Sequence, residues 1–150
     1  MKIDVFVKLA FQEEAELEGA IGSAAFRAES ELRRGVMTVR GEADGQEFHL
    51  KIRMGRMRGR GVTGEVHGQP VSGALTHSNR GVLFEGKAGQ EELKYNLENR
   101  GRCSNRGTDL GIHVDYQPLY CEIVGGVDRV PDGIMVAALV PAVLASHRDE

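Results

Sequence analysis

The chain has 150 residues, 41% of them hydrophobic and 27% charged, with a formal net charge of −3 and no Trp. Such a balance excludes disorder as the main state and fits one domain around one core, residues 1–150. It does not announce a nucleic-acid binder, and 20 Gly against 4 Pro point to many tight turns.

The chain opens Met1-Lys2-Ile3-Asp4, with an early acid and no uninterrupted apolar stretch, so a cytoplasmic setting is expected. Ile3, Val5, Val7 and Leu9 then alternate with polar or outward residues. Phe26, Ala28 and Leu32 repeat the pattern, with Arg27, Glu29 and Glu31 between. Phe48, Leu50, Ile52 and Met54 alternate with His49, Lys51 and Arg53. Leu93, Tyr95 and Leu97 follow, then Leu110, Ile112 and Val114, then Leu119, Cys121 and Ile123. Each reads as a strand with one buried face, and a wet outer face favours an antiparallel sheet.

A weak repeat links these strands. Gly41 to Phe48 resembles Gly64 to Val71, and a copy one residue shorter runs from Gly86 to Leu93. Gly19-Ala20-Ile21-Gly22-Ser23 is a degenerate fourth. In each, a central Gly supplies the positive φ of a tight turn, so the copies read as successive hairpins of one meander. Asp44-Gly45 is the strongest turn signal. Asn99 to Asp109 reads as a long polar loop rich in Gly, Asn and Arg.

The last segment differs. Asp132 is expected to cap a helix over about 132–146, whose residues from Ile134 to Leu144 leave no polar face. A helix apolar all round must be buried all round or lie in lipid, and this run is too short for the ~20 residues a bilayer requires. Pro141 should kink it. The reading is an all-β fold: an antiparallel meander of about ten short strands, closed as a barrel around, or capped by, one apolar C-terminal helix. Alternation alone does not separate a closed barrel from a two-layer sandwich.

Asp128-Arg129-Val130-Pro131-Asp132-Gly133-Ile134-Met135-Val136-Ala137-Ala138-Leu139, with the hairpins before it, resembles the tubby C-terminal-like group, which includes the phospholipid scramblases and LURP-one-related proteins. The resemblance covers most of the chain as architecture and little of it as sequence. It implies a closed barrel surrounding a central C-terminal helix, and association with membrane lipid or nucleic acid.

The sharpest chemical feature is a basic run, Lys51, Arg53, Arg56, Arg58 and Arg60, with no acid between Phe48 and Gly64. On an extended chain Arg56, Arg58 and Arg60 share one side, and a register shift at Gly55 would bring Arg53 and Lys51 onto it. Arginine forks suit phosphate groups. Arg100, Arg102 and Arg106 could extend the patch. The bland alternative is a solvated face neutralised by Glu13, Glu14, Glu16, Glu18, Glu29 and Glu31. No aromatic residue interleaves the run, which weighs against single-stranded nucleic acid.

Other chemistry is sparser. His49, His67, His77, His113 and His147 show no metal-ligand spacing, and no cofactor is expected. Cys103 and Cys121 are expected as free thiols, Cys121 inward and Cys103 in the Arg-rich loop. Ser72 and His77 lack a nucleophile motif. The preferred reading is a non-enzymatic module that meets an anionic surface, a lipid headgroup or phosphate backbone, through Arg53, Arg56, Arg58 and Arg60. One alternative is a barrel for a small hydrophobic ligand, open to enzyme activity, with the helix as lid. Another is a homo-oligomeric subunit.

Overall fold

The computed structural model describes residues 1–9, 14–54, 60–101, 103–108 and 110–148, with the side chains of Arg60 and of 146–148 outside the description. Twelve strands and one helix follow in order: β1 (Lys2–Leu9), β2 (Glu14–Ile21), β3 (Ala24–Arg33), β4 (Val36–Ala43), β5 (Gln46–Arg53), β6 (Arg60–Val66), β7 (Gln69–Ser78), β8 (Gly81–Ala88), β9 (Glu91–Asn99), β10 (Ser104–Gly107), β11 (Gly111–Tyr116), β12 (Tyr120–Gly126) and α1 (Val130–Arg148). Each strand pairs antiparallel with its chain neighbours. β1 also pairs with β12, Val5 opposite Ile123, which closes the barrel and removes every sheet edge.

The period-2 pattern places the core. Ile3, Val5, Val7, Leu50, Ile52, Ile112, Val114 and Ile123 are fully enclosed. The four repeat copies are the β2–β3, β4–β5, β6–β7 and β8–β9 hairpins. At Asp44-Gly45 both central residues are left-handed, φ 53° and 76°, as a type I′ turn requires. His67-Gly68 and Arg34-Gly35 turn the same way.

Helix α1 lies inside the ring of strands. From Ile134 to Leu144 every residue is buried, on every face. It packs against β1, β2, β3, β4 and β6, and its Asp132 accepts a hydrogen bond from Tyr95 on β9. A helix touching strands around so much of the ring fills the lumen and does not cover one end. The helix begins at Val130, so Asp132 sits within the first turn and not at the cap, and α1 continues through Pro141.

Two strands more than the expected ten have an identifiable source. The polar stretch read as a loop contains β10, Ser-Asn-Arg-Gly, which has no apolar residue. Asn105 fills the inward position, 1% exposed. It donates to the Asn99 side chain at 2.7 Å and accepts from the Tyr116 hydroxyl, so a satisfied polar group stands where an aliphatic one was sought. β2 alternates Glu14, Glu16 and Glu18 with Ala15, Leu17 and Gly19, where Leu17 alone is large and apolar, which weakens its signal. Leu119 is a further correction. It is 71% exposed, because it belongs to the β11–β12 turn and not to the inward face.

Candidate functional site: a basic rim

In a closed antiparallel meander, connections alternate between the two ends of the barrel. Those from odd to even strands (β1–β2, β3–β4, β5–β6, β7–β8, β9–β10 and β11–β12) all fall at one end. That end collects arginines far apart in sequence. Arg34 occupies the β3–β4 turn, Arg53 ends β5, Arg80 lies in the β7–β8 turn and Arg100 follows β9, all of them exposed. The opposite end carries Asp44, Glu91 and Asp128 with Arg129 as its described arginine.

The backbone fixes these turns in place. Arg53 pairs across the sheet with Val36, and Val36 with Arg33. Met54 N–H donates to the Gly35 carbonyl at 2.7 Å, which sets the Arg34 turn beside the end of β5. Asn99 N–H donates to the Arg80 carbonyl at 2.8 Å, and the Asn99 side chain donates to the Asn79 carbonyl at 3.0 Å. Arg80 and Arg100 therefore flank the same stretch of rim. The arginines form an arc from β3 to β10.

Of the residues expected from sequence, Arg53 is exposed on this arc, and Lys51 shares its outer face with Thr38 and Thr63 as cross-strand neighbours. Arg60 opens β6 opposite Leu75. Arg56, Arg58 and Arg102 lie outside the described residues, as does Glu13. Arg106 stands on β10, opposite Glu98 and His113, on the wall and not at the rim. Sequence reading missed Arg34 and Arg80. Their signal is weak, since Arg34 only follows Arg33 into a two-residue turn and Arg80 is a single arginine in another.

Of the described acids proposed to neutralise the run, two are paired with other arginines and three lie on strands that are not adjacent to β5. Glu18 pairs with Arg27 at 3.3 Å, and Glu31 with Arg33 at 2.8 Å. Glu14, Glu16 and Glu29 lie on β2 and β3, separated from β5 by β4. At the rim Arg100 has Glu98 at 3.6 Å. Among the described residues, Arg34, Arg53 and Arg80 form no ion pair.

Among the described residues no group of three or more His, Cys, Asp and Glu is placed to hold a metal ion. His113 meets Asp115 at 2.8 Å on the outer wall. Both cysteines are free, Cys103 exposed and Cys121 buried. At the acidic end a polar latch holds the start of α1. Tyr95 donates to Asp132 at 2.6 Å, Arg129 forks onto the same carboxylate with both contacts at 3.2 Å, and Arg129 also meets Glu91. Burial first, and then the bond to Asp132, hold the Tyr95 phenol above its usual range. The hydrogen bonds to Asp132 and Glu91 hold the Arg129 guanidinium still more firmly protonated.

Comparison with protein-family models, curated proteins and solved structures finds no match to the chain. Among the described residues no helix is long and apolar enough to cross a membrane.

Proposed function

We propose that the protein is a non-enzymatic module that docks its basic rim on an anionic membrane surface, peripherally and from the cytoplasmic side. The observation that carries this reading is the arc of Arg34, Arg53 and Arg80, which no described carboxylate neutralises. An unpaired guanidinium presents its full donor fork to phosphate. In the sequence Arg56 and Arg58 stand between β5 and β6, and Arg60 opens β6.

A second feature favours lipid over a nucleic-acid backbone. Leu119 projects from a turn at this same end, 71% exposed, and Phe6 and Tyr120 stand half exposed beside it with ring centroids 6.0 Å apart. Apolar and aromatic side chains suit a bilayer interface, and a phosphate backbone offers them nothing. The tubby-like resemblance belongs with this proposal.

Co-flotation with vesicles containing phosphatidylserine tests the proposal. Each arginine near such a surface contributes about 1 kcal/mol, so changing Arg34, Arg53 and Arg80 to Gln should weaken binding roughly a hundredfold. Changing Arg56, Arg58 and Arg60 to Glu should abolish flotation, and raising salt should weaken the wild type. Wild type that fails to float at low salt, or variants that float equally well, would overturn it.

A further inference from the structure

The outer wall of a barrel is normally convex, yet the wall from β2 to β6 holds a groove of about 1020 Å³. Its floor includes Gly19, Ala25 and Gly41, where little or no side chain rises from the sheet. It crosses five strands, four gaps of about 4.8 Å, or roughly 19 Å in all. That span matches about six residues of extended chain at ~3.3 Å each.

Apart from the Arg27–Glu18 pair, with Arg27 opposite Glu42 in the β3–β4 register, the charged lining is Arg40 and Lys51 against four carboxylates, Glu29, Glu42, Glu47 and Glu65. Among the described residues none of these four carboxylates forms an ion pair. Glu42 stands directly opposite Glu47 in the β4–β5 register, a like-charge pair that costs the sheet stability. The carboxylates do not converge as a metal site would require. They are spread over several strands, so a compact cation satisfies at most one or two of them. Alternate side chains of an extended cationic segment share one face and can meet carboxylates on more than one strand.

We propose that this groove receives an extended Lys/Arg-containing segment of a partner protein. Bound there, the partner's cations relieve the Glu42–Glu47 repulsion, and the groove's own Arg40 and Lys51 exclude the segment from the rim. A barrel seated on a membrane by its rim leaves this wall free, so the protein would join a membrane surface to a basic partner. The inference stands apart from the rim proposal, because it uses different residues and a different face.

Fluorescence anisotropy of a labelled nine-residue peptide of alternating Arg and Ser tests it. Three proteins are compared: wild type, the Glu42→Gln, Glu47→Gln, Glu65→Gln variant, and a control with Glu14→Gln, Glu85→Gln, Glu92→Gln. The control makes the same change in net charge at exposed wall positions outside the groove. The groove variant should lose at least tenfold in affinity, and the control less than twofold. Equal losses in both would reduce the effect to net charge and overturn the proposal, as would no binding by wild type at low salt. A twin peptide with Glu for Arg should not bind the groove, and tighter binding of that twin would also overturn it. Both variants should keep vesicle flotation, which separates failure here from failure at the rim.

Discussion

Cys103 and Cys121 are one residue type in two opposite settings. Cys121 faces the core on β12, between Val7 and Tyr116 across the sheet, and is fully enclosed. Burial in apolar surroundings pushes its thiol up to about 12. Native protein at pH 8 should therefore be alkylated by iodoacetamide at exposed Cys103 and spared at Cys121, and denatured protein at both. Mass spectrometry of the labelled peptides reads this directly. A stability consequence follows with a definite sign. The unfolded thiol deprotonates near its ordinary value of 9.0, while the folded one stays protonated to about 12. The contribution is fully present below pH 9 and is lost as pH rises from 9 to 12. Cys121→Val should flatten the fall in melting temperature over that window. An unchanged profile would assign the alkaline loss to Tyr95 and Tyr116, whose phenols burial also raises. The inward place of Cys121 is legible from alternation alone. The reach of Tyr116 to Asn105 is not, since it joins residues on two strands through one hydroxyl.

Elements show why hairpins were readable and β10 was not. A type I′ turn needs positive φ at two positions, so Asp44-Gly45 announces itself in the sequence. β10 is held by pairing to β9 and β11 and by one buried amide, and none of these leaves a periodic trace. Gly41 illustrates a second kind of silence. It lies mid-strand, where a glycine ordinarily weakens a sheet. A Cβ there would come 2.3 Å from the Arg27 carbonyl oxygen and 2.5 Å from the Ala28 Cβ. The sheet coils so tightly between β3 and β4 that no side chain fits. Gly41→Ala should therefore destabilise by about 1–3 kcal/mol, although alanine has the better intrinsic conformational entropy. Chemical denaturation would show it as a lower midpoint with an unchanged slope. A neutral or stabilising result would mean that β3 and β4 can part at this point.

The whole molecule supplies what neither residues nor elements contain. Alternation tells inside from outside, but it does not tell which end of the barrel a turn occupies. Arg34, Arg53, Arg80 and Arg100 become neighbours on a rim only through the alternating connections of a closed meander. The helix is the opposite case, because a run with no polar face demands burial on every side. Its setting inside the barrel makes a strong prediction. Burying Ile134, Met135, Val136, Leu139, Val140, Val143 and Leu144 contributes roughly 10–20 kcal/mol at about 1.5–3 per large side chain. That is comparable to or larger than the net stability of about 5–15 kcal/mol typical of a domain. Deleting residues 132–150 should therefore abolish cooperative unfolding in calorimetry. Deletion alone does not separate a central helix from a covering one, so single substitutions carry the distinction. Ala137, Ala138, Leu139 and Val140 point in successive directions about 100° apart and so sample every face of the helix. Each is at most 4% exposed. Aspartate at any of the four would bury an unpaired charge, and all four variants should lose the native melt. One well-tolerated aspartate among them would reveal a face open to solvent, and the helix would then lie over the barrel and not within it.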